Sequence, residues 1–270
     1  MEDEPPRYHD VARSGPTSAT SLKDTTRPIP ENDSSDYTLL SFSGTDRIRL
    51  IRFPEELVTL VSETLRTVWP KGVQDVRRRN EYVEVKLRGN PLSYSQDEEK
   101  IALRQTVLKI LETLAKAGWY VLPGAGGLRR LRSSGGVGER DSLVFQRWQQ
   151  QQQNHLSWIC VSFDSDDLIH LIDAPFELAR SVIDMFGDKV ERCNQDLVSG
   201  NFEIKLRGGP WSRSSTDGVV QGRLILLDVL GSLQGQGYAL SANLDLDGGN
   251  GGSSYKSSGD IWFCCRCEAC

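Results

Sequence analysis

The phrase EVKLRGNP at residues 84–91 returns as EIKLRGGP at 203–210, and it does not return alone. With an offset of 121, SFDSDDLIHLIDAP (162–175) lies over SFSGTDRIRLIRFP (41–54), so that Phe42, Asp46, Ile48, Leu50 and Pro54 meet Phe163, Asp167, Ile169, Leu171 and Pro175. After a two-residue slip the offset is 119. Glu84, Lys86, Leu87, Arg88, Gly89 and Pro91 then meet Glu203, Lys205, Leu206, Arg207, Gly208 and Pro210. Farther on, Arg104, Leu108, Leu111, Leu114 and Gly118 fall on Arg223, Leu227, Leu230, Leu233 and Gly237. Matches this numerous and this ordered point to a tandem duplication. Whatever one copy folds into, the other must fold into as well.

Each copy predicts the same elements. An apolar strand, a polar turn (SGTD or DSDD) and a second strand (IRLI or IHLI) lead to Pro54 or Pro175, expected at the first position of a helix. Apolar residues at 57, 60, 61, 64, 65 and 68, and again at 178, 179, 182, 183 and 186, form helical stripes. The charged strand follows and ends at a Gly-x-Pro turn. A capping box is expected to open the second helix, Ser95 with Glu98 and Ser214 with Asp217, and Gly118 or Gly237 to close it. Two further strands complete the unit. The expected fold is therefore α+β: two tandem repeats of about 110 residues, each with two helices on one face of a mainly antiparallel sheet of about five strands.

The expected organisation is a disordered N-terminal tail (1–36), repeat 1 (37–148), a Gln-rich linker (149–156), repeat 2 (157–265) and a Cys-rich tail (266–270). Residues 1–36 are rich in Pro, Ser, Thr and Asp, with too few apolar residues to fold. The start MEDEPPRYHD has neither the positive flank nor the apolar run of a secretory signal, so a soluble cytoplasmic protein is expected. Net charge is +6 over residues 37–148 and −7 over 149–270. Opposed halves of this kind suggest attraction within the chain, or self-association between chains.

Some residues invite chemistry. Alternation places Glu84, Lys86 and Arg88 on one strand face, either a self-neutralising solvated surface or a basic groove. Arg104 and Arg223 sit four residues before one core leucine and seven before the next, so both are expected to point into the core. A buried arginine needs a partner. The duplicated acids Glu84 and Glu203, with Asp46 and Asp167, are the candidates for structural ion pairs, and an anion-binding pocket is the alternative. Arg77–Arg79 and LRRLR at 128–132 carry the basic charge without RNP, zinc-finger or Walker spacing, so nucleic acid is not an expected partner.

Three histidines, no nucleophile elbow and no H-E-x-x-H motif leave catalysis unsupported, and no metal or cofactor is expected. Asp164, Asp166 and Asp167 read as turn residues. Cys264, Cys265, Cys267 and Cys270 crowd the last seven positions, too close to wrap one tetrahedral zinc. Beside Trp262 and Phe263 they are candidates for S-acylation, the one route to a membrane that the sequence offers, or are thiols without a dedicated role. The expected function is a non-enzymatic, adaptor-like protein-binding module. The alternatives are an S-acylated, membrane-tethered adaptor and a small-molecule or anion-binding domain with enzymatic activity.

Overall fold

Apolar and polar residues alternate along Tyr37–Ser43 (β1) and Arg47–Ile51 (β2), and the two pair as an antiparallel hairpin. The computed structural model describes residues 36–93, 97–128, 139–148, 156–196, 200–246 and 257–267. The expected disordered tail, apart from Asp36, lies outside these residues, as do most of the Gln-rich segment, Ser95 and Cys270.

The chain continues through Glu55–Val68 (α1), Val73–Arg78 (β3), Tyr82–Leu87 (β4), Asp97–Lys116 (α2), Trp119–Leu128 (β5) and Glu139–Arg147 (β6). The second copy repeats this run. Its elements are Leu156–Asp164 (β7), Leu168–Ile172 (β8), Phe176–Phe186 (α3), Val190–Asp196 (β9), Asn201–Leu206 (β10), Thr216–Gly235 (α4), Ala239–Leu244 (β11) and Ser257–Cys267 (β12). Each copy forms its own six-stranded antiparallel sheet. The order is β3-β4-β2-β1-β6-β5 in the first and β9-β10-β8-β7-β12-β11 in the second, the same topology twice. Even backbone exceptions are duplicated: Arg52 and Asp173, equivalent positions ahead of α1 and α3, both have positive φ (56° and 54°).

Local chemistry explains most boundaries. Pro54 and Pro175 are the N-cap residues of α1 and α3, one position ahead of where the sequence suggested, with acidic residues in each first turn favouring the helix dipole. Ser215, and not Ser214, caps α4: its hydroxyl accepts a hydrogen bond from the Gly218 N–H at 3.1 Å. Gly118 and Gly237 adopt φ of 81° and 79°, the left-handed conformation that ends a helix cheaply only in glycine. The sixth strand of each sheet, β3 or β9, was not expected. VQDVRR and VERCNQD are polar edge strands with no apolar alternation to reveal them.

Two cores result. Leu57, Val58, Val61 and Leu65 of α1 pack with α2 on the inner face of the first sheet, against Phe42, Ile48, Val85 and Phe145. Leu178, Val182, Val229 and Leu233 of α3 and α4 pack on one face of the second sheet, against Val161, Ile169 and Ile204. The other face of that second sheet is also buried. Its Trp158, Cys160, Ile172 and Phe263 belong to the core of repeat 1, and α2 packs directly on β7 and β8. Helix α2 thus lies between the two sheets, while among the described residues α4 has a sheet on one side only.

Candidate functional site

The helix layer of repeat 1 is held to the sheet of repeat 2 by a buried polar cluster. Arg104, near the middle of α2, donates from Nη1 and Nη2 to Asp164 Oδ2 and Oδ1 at 2.8 and 2.6 Å. Asp164 ends β7 and also accepts from Ser162 Oγ at 2.8 Å, and its Oδ2 lies 2.7 Å from His170 Nδ1 on β8. His170 Nε2 faces Glu203 of β10 at 3.5 Å. The Arg104 and Asp164 side chains are 2% and 0% exposed. Burial by itself would raise the Asp164 carboxyl, but Arg104 and His170 outweigh it and hold it well below the usual carboxylate range. Burial likewise works against the charged His170, and hydrogen bonding of its ring to the Asp164 and Glu203 carboxylates overcomes it and raises its pKa.

Ser, His and Asp side chains in one cluster suggest a hydrolase. The geometry does not support it. A catalytic serine must stand at the imidazole nitrogen opposite the aspartate, whereas Ser162 binds the aspartate itself and the far nitrogen faces Glu203. The cluster is also sealed between layers, where no substrate reaches it. Its role is a bidentate clasp between repeats. Gln105 adds a second link, donating to Asp173 Oδ1 at 3.3 Å.

The expected ion pairs therefore need correction. Arg104 is buried, but its acid is Asp164 of the other repeat, and not Glu84 or Asp46. Glu84 accepts from Arg47 at 2.6 Å and Arg49 at 3.0 Å on the outer face of the first sheet. Asp46 lies 3.6 Å from both Arg47 and Lys86. Glu203 pairs with Arg192 at 3.0 Å, and Asp167 sits 3.8 Å from Lys205. These acids balance neighbouring strand cations because alternation puts them on the same face. Arg223 departs most from expectation. It is exposed and has no hydrogen-bond or ion-pair partner among the described residues. The helical register is sound, but no sheet covers that side of α4.

That uncovered side is the most unusual surface of the molecule. At the α4 positions equivalent to Lys100, Ile101, Gln105 and Leu108 of α2 stand Val219, Val220, Leu224 and Leu227, all exposed, Leu227 to 62%. Leu240 of β11 is exposed beside them. Gly231 and Gly235 continue the face toward the helix end, and a Cβ added at either would meet nothing within 4 Å. Four aliphatic side chains around one guanidinium with no partner among the described residues make an exposed apolar patch with a single charge.

The first two residues of the expected tail, Arg266 and Cys267, belong to β12, and Cys270 lies outside the described residues. Cys264 and Cys265 lie within β12, which runs through to Cys267. Cys264 is buried, and burial pushes its thiol up to about 12, far from the thiolate that acylation requires. Cys264 is thereby removed as a lipidation candidate in the folded protein, and Cys265 is half-buried. Among the described residues no group of three or more His, Cys, Asp or Glu side chains converges as a metal would require, and no helix is long and apolar enough to cross a membrane.

No curated protein and no solved structure matches the chain. A single protein-family model matches it twice, over residues 36–146 and 157–265. The two matches coincide with the two six-stranded units and cover well over half of the sequence. The chain belongs to that family, as a tandem pair of its domain.

Proposed function

We propose that this chain is a non-enzymatic protein-binding module whose working surface is the outer face of α4. One observation carries the reading: the equivalent face of α2 is packed under a sheet within the same molecule, while the α4 face, aliphatic around its arginine, stays exposed among the described residues. Repeat 1 shows what such a face accepts. The occupant expected on α4 is a partner presenting an apolar sheet face with one carboxylate for Arg223, as β7 and β8 present Asp164 to Arg104. A second copy of the chain fits less well, because its own open sheet face carries Arg47, Arg49 and Lys86 around Glu84, cations where an acid is wanted.

A photo-crosslinking residue at position 224 of the full chain tests this in cells, with position 63, polar and exposed on α1, as control. The expected result is a discrete adduct from 224 alone, mapping to a strand of the partner beside an Asp or Glu, and lost in Arg223→Ala. Adducts equal at 224 and 63 would overturn the reading. Covalent dimers of the purified chain at 224 would replace the external partner with a second copy.

A further inference from the structure

Repeat 2 contains a cavity of about 500 Å³ that repeat 1 has closed. It lies between α4 and the second sheet, with Phe163, Trp211 and Trp262 forming an aromatic wall. Phe163 stacks edge-on against both tryptophans, its ring centroid 5.6 Å from Trp211 and 4.8 Å from Trp262. The difference between the repeats has a clear origin. The repeat 1 counterparts of Trp211, Gly222 and Leu226 are Leu92, Leu103 and Val107, all buried. Leu103 projects from α2 into its own core. Gly222 projects nothing, and a Cβ there would stand 3.2 Å from the Pro210 carbonyl oxygen. The helix therefore approaches the 208–212 turn closely and leaves the space of a leucine side chain empty beside it.

The polar side chains around this space are mostly donors, with Asn243, whose amide both donates and accepts, also on the wall. Arg213 and Arg223 line the cavity, and no carboxylate pairs with either among the described residues. Arg213 donates from Nε to the Gly208 carbonyl oxygen at 3.3 Å. The Trp211 indole N–H is buried and has no acceptor. An aromatic, largely apolar cavity with two cationic forks at its rim suits a flat apolar body carrying one anionic group. We infer that this cavity binds a small aromatic organic acid, stacked against Phe163, Trp211 and Trp262 with its anionic group on Arg213 and Arg223. The inference goes beyond protein docking but shares Val219, Arg223 and Leu240 with it, so the test must separate the two.

Two fluorescent probes of similar shape do so on the full chain: 1-anilinonaphthalene-8-sulfonate, an anion, and N-phenyl-1-naphthylamine, its neutral counterpart. The expected result is saturable binding of one sulfonate probe per chain. Arg213→Gln should weaken that affinity about fivefold to tenfold, and Arg223→Gln should do likewise. The neutral probe should stay within about twofold in both variants, because only the charge contact is lost. Leu226→Trp should block both probes. If that variant does not fold, as judged by circular dichroism, the two arginine variants still decide. Leu227→Asp lies on the docking face outside the cavity and should leave the sulfonate affinity within about twofold. Sulfonate binding indifferent to both arginines, or abolished by Leu227→Asp, overturns the inference, and the latter outcome assigns the probe to the docking face instead.

Discussion

Helices α2 and α4 are the same element written twice, 20 residues each, and they differ in what lies on their far side. On α2, Lys100, Arg104, Val107, Leu108 and Leu111 are all buried, because the first sheet covers one side and the second sheet the other. On α4, buried residues recur only along the line Ile225, Val229 and Leu233 that faces its own sheet. Leu108 is 1% exposed and its counterpart Leu227 is 62% exposed. Two sheet-and-helix units stacked in the same sense bury the first helix layer between sheets and leave the last one with a sheet on one side only. Evolution of a lone surface helix would be expected to replace such leucines with polar residues. Here Val219, Val220, Leu224 and Leu227 stand exposed, two of them where the buried α2 has Lys100 and Gln105, and that asymmetry is the physical ground for a docking face.

The sharpest way to break the comparison is to cut the same side chain from both helices. Arg104→Ala leaves Asp164 charged, buried and deprived of its main partner, and should cost about 3–5 kcal/mol in chemical denaturation of the full chain. Arg223→Ala should change stability by less than about 0.5 kcal/mol. Equal losses at the two sites would mean that the far side of α4 is covered in the isolated protein.

The aliphatic pair gives a slightly smaller contrast. Leu108→Ala removes a packed side chain between layers and should cost about 2–4 kcal/mol, transfer and cavity together. Leu227→Ala should be near neutral, within about 0.5 kcal/mol. Thermal unfolding of the two variants side by side checks this. Loss of crosslinking from position 224 in Leu227→Ala without any loss of stability would sharpen the docking assignment.

The clasp also titrates, and nothing equivalent exists on α4. His170 has a folded pKa raised above its ordinary 6.5, so its contribution is complete below about 6.5 and is lost as pH rises through the folded value. Asp164 has a folded pKa below its ordinary 3.8. Its contribution is present above about 3.8 and is lost as pH falls through the folded value. Stability should therefore decline as pH rises above about 6.5, the alkaline decline, and again in acid below about 3.8. In His170→Gln the alkaline decline should disappear while the acid one remains. An unchanged alkaline slope in that variant would show that the imidazole is neutral in the clasp.

The smallest effect concerns thiols. Cys193 is exposed on the edge strand β9, whereas Cys160 and Cys264 are buried on the two faces of the second sheet. Brief alkylation of the native protein, read by peptide mass spectrometry, should modify Cys193 and spare Cys160 and Cys264. Rapid modification of Cys264 would mean that the end of β12 opens readily, and would restore it as an acylation candidate.

Legibility in the sequence followed the range of the interaction. The α1 stripe, the Gly118 and Gly237 stops and the E-x-K-L-R-G strands were readable because period, cap and turn chemistry act within a few residues. Edge strands β3 and β9 were not, since an edge strand needs no apolar alternation. Asp164 read as a turn residue because DSDD is turn chemistry in isolation. One local signal did point to its burial. The strand RIRLI alternates charge with aliphatic residues, while its copy LIHLI has lost both arginines, and a strand apolar on both faces is a strand covered on both faces.

The sequence by itself determined that this protein is a duplicated α+β unit, both helices and five of the six strands of each copy, and the core-facing stripes of α1 and α3. Those properties come from spacing along the chain. Only the tertiary structure decided that Arg104 meets an acid 60 residues away in the other repeat while Arg223 meets none, and that Gly222 opens a cavity where Leu103 fills one. The two arginines hold equivalent positions on equivalent helices. What separates them is which copy has a second sheet to lie under, and that is set by the packing of whole layers, where burial and charge pairing act across space and leave no mark in local periodicity.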